Sequence, residues 1–339
     1  MPLVARKSRY GANAASSSAS PPSRSGVRAA AIVLALTLTI VLVPRAHASD
    51  LLDLNATDVT LAVRGSTALV TYRARGETRH VLAWGAVNAL TPDPNVPQVR
   101  FRHDYSGGES TQGRAVWRRF GHRCGRYDGP PLVYLVAACK AADGSYWAVQ
   151  RWQRNLPHRG LAPWTSWQRA QELRLSHWSG PLARLELYAD WAFDGAAHGI
   201  FGRLAYGGKP LHGFHTTSQG APTDGYGRSL YIDTHDSSYG PGWARETSIV
   251  FRNPTGAFCY SFWPTHDVSL PGSPPRPAGN GNRYRISVVG PGVTPDIVAE
   301  TADPGAWDPR DRAKVAWEQQ QLRLFDQVTA GDKFCATQH

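Results

Sequence analysis

Residues 202–234, GRLAYGGKPLHGFHTTSQGAPTDGYGRSLYIDT, decide the reading of this chain. A two-residue hairpin link needs positive φ, which Gly207 and Gly208 supply without steric cost, so the flanking residues are expected to pair as strands. Further on, the turn Asp224-Gly225-Tyr226-Gly227-Arg228 feeds the alternating run Leu230, Tyr231, Ile232.

The same pattern extends in both directions. Upstream, Val59, Leu61 and Val63 alternate up to a Gly65-Ser66 turn and resume over 69–72, which predicts a hairpin. Strands are expected over 79–88 and 98–104, separated by the proline-rich loop 91–97. Asp143-Gly144 is a strong turn signal between strands 132–139 and 145–152. Residues 157–167 hold too much Pro, Gly and Trp for a regular element. Strands 172–178 and 182–191 flank Ser179-Gly180-Pro181. In the second, Leu185, Leu187 and Ala189 share a dry face, while Arg184, Glu186 and Asp190 share a wet one. Downstream, 247–252 and 257–263 flank Asn253-Pro254-Thr255-Gly256, residues 266–282 read as a long Pro/Gly-rich loop, and 283–289 resumes as a strand.

One helix is expected near the C-terminus, with Asp308 as N-cap, Pro309 at N1 and Gly331 as its stop. Trp317, Leu324 and Val328, flanked by Val315 and Leu322, would form its buried stripe. The chain therefore reads as all-β, an antiparallel β-sandwich architecture in two β units with one C-terminal helix. The division is 49–195 for the first unit, 196–300 for the second, and 301–339 for the helix and tail.

The hairpin stretch resembles the carboxypeptidase regulatory-like and transthyretin-like β-sandwich modules. The likeness rests on Gly202 and Leu204, then Gly208-Lys209-Pro210-Leu211 with Gly213-Phe214, then Thr223-Asp224 to Gly227-Arg228 and the strand at 230–232. It covers about 33 of the 339 residues and implies a Greek-key sandwich. It implies no particular activity, because such modules accompany many different secreted proteins. After Thr234 the run HDSSYGPGW departs from the family by its length and glycine content.

The N-terminus points to export. Residues 1–48 hold six Lys or Arg and no acid, then an apolar run over 29–43, then Ala46-His47-Ala48, a small-x-small pattern that places cleavage after Ala48. The alternative is an uncleaved anchor through 29–43, yet that run has about 15 apolar residues where a span needs roughly 20. Subtracting the leader's six cations from 37 leaves 31 against 26 acids, so the net charge falls from +11 to +5. Arg far outnumbers Lys and Ala is abundant, the composition expected of a GC-rich bacterial genome. The four cysteines are expected to form two disulfides in an oxidising compartment, Cys124 with Cys139 and Cys259 with Cys335. A four-cysteine zinc site would need close CxxC pairs, which are absent.

Several constellations bear on chemistry. His212, His215, Asp233, His235 and Asp236 are the densest group of metal-ligating types, but on a strand residues three apart face opposite ways, so convergence would need a bulge at Gly213. Glu186 and Asp190, with Glu172 one strand away, are carboxylates of the kind glycoside hydrolysis uses. No GxSxG elbow is present, and His103, Asp104 and Ser106 make no triad by proximity in sequence. Trp147, Trp152, Trp164 and Trp167 would form a sugar platform if they faced solvent in a row. Arg114, Arg118, Arg119, Arg123 and Arg126 crowd with His122 around Cys124, beside Trp117 and Tyr127, a composition suited to an acidic polymer such as a cell-wall polysaccharide. No cofactor is called for, nucleic acid is not an expected partner of an exported chain, and membrane contact is expected only if 29–43 is retained. A binding or structural module at the cell envelope is the leading reading, and a secreted hydrolase acting on carbohydrate is the alternative.

Overall fold

The computed structural model describes residues 49–90, 99–106, 116–153, 169–192, 197–210, 215–216, 222–223, 230–237, 240–245, 256–262, 281, 283–330, 332 and 335. Strands β1 (Asp50–Leu54), β2 (Thr57–Arg64), β3 (Thr67–Ala74), β4 (Glu77–Trp84), β5 (Arg102–Ser106), β6 (Gly125–Arg126), β7 (Leu135–Lys140), β8 (Tyr146–Gln153) and β9 (Gln171–Trp178) build two antiparallel sheets. Their orders are β1-β9-β8-β7-β6 and β2-β3-β4-β5. Inward side chains such as Val63, Val70, Tyr72 and Val81 from one sheet meet Trp147, Val149, Leu173 and Leu175 from the other in a single core. The period-two alternation read in the sequence is the mark of this one-sided burial.

The second half adds β10 (Arg184–Ala192), β11 (Ala197–Tyr206), β12 (Lys209–Pro210), a ribbon of β13 (His215–Thr216) and β14 (Pro222–Thr223), then β15 (Leu230–Ser237), β16 (Gly240–Arg245), β17 (Ala257–Phe262), β18 (Arg283–Val288) and β19 (Ile297–Glu300). β11 pairs with β10, β12 and β17 in one sheet, and the order β16-β15-β18-β19 makes the other. Ala189, Ile200, Leu204 and Phe258 pack against Ile232, Tyr284, Ile286 and Val288 between them. The architecture is thus an antiparallel all-β sandwich with one C-terminal helix, α1 (Arg312–Thr329). The Gly207-Gly208 hairpin is formed, with both glycines at positive φ and Tyr206 opposite Lys209. A side chain at Gly202 would meet the Glu186 carbonyl oxygen at 2.0 Å and the Phe258 ring at 2.5 Å, so glycine there lets the core strands close.

Contacts join the two cores. Val293 packs into the first, and Trp152, Val289, Tyr134 and Tyr231 form a small cluster of their own. Pro44–His339 clusters as one unit. Both disulfides pair as expected, with Cα atoms 5.7 Å apart for Cys124–Cys139 and 5.6 Å for Cys259–Cys335. Among the described residues no helix is long and apolar enough to cross a membrane; residues 29–43 lie outside them.

Three expectations are corrected. β9 and β10 do not pair across Ser179-Gly180-Pro181: β9 lies between β1 and β8, while β10 pairs with β11 in the other half. The helix begins later than expected. Asp311, not Asp308, caps it by accepting from Ala313 N at 2.9 Å and Lys314 N at 3.4 Å, while Asp308 closes a turn onto Arg310 N. Of the expected stripe Val328 is buried and Leu324 packs beside it, with Gln321, Phe325 and Thr329 also buried, whereas Leu322 is 39% exposed. Strands β1, β16 and β19 have no counterpart in the sequence reading. Residues 247–252, 266–280 and Gly331 lie outside the described residues.

Candidate functional site

The Trp platform does not form around β8. Trp147 is wholly buried, stacked on His177 with ring centroids 3.8 Å apart, and Trp152 is 3% exposed, stacked on Tyr134 and donating from Nε1 to Asp296 at 2.8 Å. Both indoles are core, so neither offers a face to a sugar. Trp164 and Trp167 lie outside the described residues.

The carboxylate pair is also rearranged. Glu172 sits in the other half and is held by Arg174 at 2.7 Å, both nearly buried. Glu186 ion-pairs with the exposed Arg184 at 3.1 Å. Asp190 is fully buried rather than solvated, because α1 covers the face of β10 and β11 that was expected to be wet. Gly199, opposite Asp190 in the register, leaves room for that carboxylate; a Cβ there would lie 2.1 Å from its Oδ1. The acid near Asp190 is Glu318 of α1, which accepts from Trp191 N at 3.1 Å. The Trp191 ring packs in turn against Trp307 and Trp317, centroids 5.0 and 4.8 Å away. Burial, and secondarily the Asp190 charge, push the Glu318 carboxyl up to about 7.

Glu318 makes the folding equilibrium pH-dependent. Its folded pKa exceeds the ordinary value of 4.5, so its contribution to stability is full below pH 4.5 and is lost as pH rises through about 7. Glu318→Gln is expected to match the wild type near pH 4 and to exceed it by about 1–2 kcal/mol at pH 8, after discounting for partial exposure. Urea midpoints across that range measure the difference.

Of the histidine and aspartate group, Asp233, His235 and Asp236 are paired within their own sheet. Asp233 is fully buried and is satisfied by Arg245 Nε at 2.6 Å and Arg285 Nη2 at 2.8 Å. His235 faces Asp236 at 3.0 Å and the edge of Trp243. His215 lies on β13, and His212 lies outside the described residues. No group of three metal-ligating side chains converges among the described residues.

One polar cluster escaped the sequence reading. His177 on β9 has Nδ1 2.7 Å from the Ala86 carbonyl oxygen and Nε2 2.9 Å from Ser145 Oγ, and that hydroxyl is 2.6 Å from Asp143 Oδ1. The Ser145 hydroxyl thus stands between acid and imidazole, the wrong order for an activated nucleophile, and Ser145 is 4% exposed. Burial lowers the His177 pKa to about 4. The neutral ring is favoured on folding, so its stabilising effect is complete above pH 6.5 and is lost as pH falls toward 4. That loss is expected to reach roughly 3 kcal/mol, and His177→Gln should flatten the acid limb of the stability curve.

The arginine cluster, by contrast, forms a solvent-facing rim. The 3₁₀ turn Val116–Arg119 lies over the outer face of the β2-β3-β4-β5 sheet, where Trp117 stacks flat on His80 of β4, centroids 4.1 Å and planes 4° apart. Burial keeps the His80 pKa below its ordinary value, so at neutral pH the ring is an uncharged pedestal. The Arg118 guanidinium sits 5.1 Å from the Trp117 centroid, and that of Arg64 is 5.3 Å from Phe120. The chain then hooks onto the edge of β2: Arg123 N donates to Val63 O at 2.8 Å, and Val63 N donates to His122 Nδ1 at 3.2 Å. Cys124 ties the segment to β7 through Cys139, bracing it between the two sheets. Arg64, Arg118, Arg119, Arg123 and Arg126 are all exposed, and among the described residues none of them is ion-paired. Arg114 lies outside the described residues. Five guanidiniums fixed on a rigid support can meet carboxylate, sulfate or phosphate groups in bidentate fashion.

No family model, no curated protein and no solved structure matches this chain.

Proposed function

We propose that this protein is an exported, disulfide-braced binding module that holds an acidic polysaccharide of the cell envelope on the rim carrying Arg64, Arg118, Arg119, Arg123 and Arg126. The observation that carries the reading is the rim itself: exposed guanidiniums with no carboxylate partner among the described residues, on a segment fixed by the Trp117–His80 stack and by Cys124–Cys139. A merely solvated surface does not require that rigidity. The basic leader, the apolar run 29–43 and the small-x-small site before Ser49, together with the two disulfides, support export. The likeness of 202–234 to secreted accessory modules is in keeping with a binding role. Retention on immobilised uronic-acid polymer, but not on a neutral glucan, is the expected outcome. Equal retention on both, or on neither, would remove the reading.

A carbohydrate hydrolase is the second reading, favoured by one observation: the carboxyls of Asp190 and Glu318 interact beside three indoles, with Glu318 poised near neutrality. Release of new reducing ends from a polysaccharide panel, abolished in Glu318→Gln, would support it. No release at any pH between 4 and 8 would end it.

A further inference from the structure

We infer that the exported chain begins at Ser49 and that its new α-ammonium is the buried cation that balances Asp296. This rests on the export reading above, with cleavage after Ala48, and adds a docking site for the new terminus. Ser49 is fully buried and Asp296 is 1% exposed. Asp296 accepts from Ser49 Oγ at 2.5 Å, Gly290 N at 2.8 Å and Trp152 Nε1 at 2.8 Å, all neutral donors. Among the described residues no Arg, Lys or His is ion-paired with it. Arg174, whose Nη1 donates to the Ser49 carbonyl oxygen at 2.6 Å, is itself matched by Glu172 at 2.7 Å. Among the described groups around Ser49, two buried carboxylates, Glu172 and Asp296, thus face one cation, Arg174, whose Nη1 also lies 3.2 Å from Ser49 Oγ, a deficit that is strongly unfavourable unless a second cation is supplied.

The Ser49 nitrogen is placed to supply it. It donates to the Gly290 carbonyl oxygen at 3.1 Å, and its own side chain already touches Asp296. As an amide it has one proton, used on Gly290. As an ammonium it has three, leaving two for Asp296 and its surroundings. Gly290 is required for this pocket, since a Cβ there would fall 2.1 Å from the Thr294 carbonyl oxygen. The backbone points the same way. Ser49 has φ 22°, short of the left-handed well that the other non-glycine positive-φ residues occupy. At a chain terminus φ no longer links two peptide planes, so cleavage removes the strain.

The chemical step is hydrolysis by a peptidase. Water adds its hydroxyl to the Ala48 carbonyl carbon, the amide C–N bond breaks, and Ser49 leaves as an amine that takes up protons to become the ammonium. Nothing is oxidised or reduced. Because Ser49 is buried once folded, cleavage precedes docking.

The test uses the full chain, residues 1–339, expressed for export in a bacterial host. The recovered product is sequenced from its N-terminus, then acylated with an amine-specific reagent in its native state and in urea, with the modified site read by mass spectrometry. The expected product starts at Ser49, and its α-amine acylates at least about tenfold more slowly when native than when unfolded. Asp296→Asn should abolish that protection, while Ser49→Ala, which keeps the amine, should retain it. A native Ser49 amine that acylates at the unfolded rate would overturn the docking and leave export standing. A product starting at another residue would overturn both the Ser49 terminus and its pairing with Asp296, and leave export standing. A chain left unprocessed inside the cell would sink the export reading as well.

Discussion

Removing the Cys259–Cys335 bridge by paired serine substitution is expected to lower stability by about 4 kcal/mol and to release α1 from the sheet beneath it. The bridge spans 76 residues, and in the chain-entropy account a loop of that length restrains the unfolded chain more than the 15-residue Cys124–Cys139 loop, for which about 3 kcal/mol is expected. The effect is also local. Cys335 belongs to a small cluster with Phe201, Phe325 and Val328, the apolar contact that seats the helix on β11. Arg203 reinforces it by donating to the carbonyl oxygens of Gln327 at 3.1 Å and Val328 at 2.5 Å, a cation at the negative end of the helix dipole. Without the bridge, the C-terminal turn of α1 is expected to open. Urea denaturation should show the loss, and limited proteolysis should cut within α1 before the strands. An unchanged urea midpoint together with an uncut helix would show that the apolar seat suffices.

Asp233→Ala is expected to cost about 3–5 kcal/mol, because it removes the buried carboxylate that Arg245 and Arg285 share. Asp233 is fully buried, the side chains of Arg245 and Arg285 are only 5% and 13% exposed, and the register places the three residues side by side across β16, β15 and β18. Stacking fixes the cations further: Arg245 lies over Tyr231 at 4.7 Å and Arg285 over Trp243 at 4.3 Å. Replacing Asp233, Arg245 and Arg285 together by apolar residues of like volume should cost less than Asp233→Ala alone, since no unpaired charge is left behind. Thermal unfolding of the two variants decides this. If the triple variant is the less stable, the ion network itself carries the sheet.

What the sequence discloses is whatever short-range geometry dictates. Gly65, Gly144 and Gly207-Gly208 all turn at positive φ, the backbone that the tightest links between antiparallel strands require. That the four cysteines form two disulfides was legible from the compartment, and of the three possible connectivities the favoured one is formed. Pairing partners were not legible: β9 and β10 look like neighbours across a Gly-Pro turn, but long-range register assigns them to different sheets. Nor could alternation say what would cover a strand. The face of β10 with Glu186 and Asp190 looked wet because the helix that buries Asp190 lies more than a hundred residues downstream. Trp147 and Trp152 show the converse, since an aromatic-rich strand reads alike whether its indoles pack inward or meet a ligand. The arginine cluster was visible as composition, whereas its support by His80 and the edge of β2 is a product of the fold.

The rim is tested most directly by titrating soluble polygalacturonate into the wild type and into Arg118→Ala/Arg119→Ala/Arg123→Ala, at about 50 and about 200 mM salt. Binding by the wild type is expected to weaken steeply with salt, and the triple variant to lose about tenfold or more in affinity at low salt while its melting temperature is unchanged. Equal affinity of the two proteins, or wild-type binding indifferent to salt, would contradict the assignment of this surface to an acidic polymer.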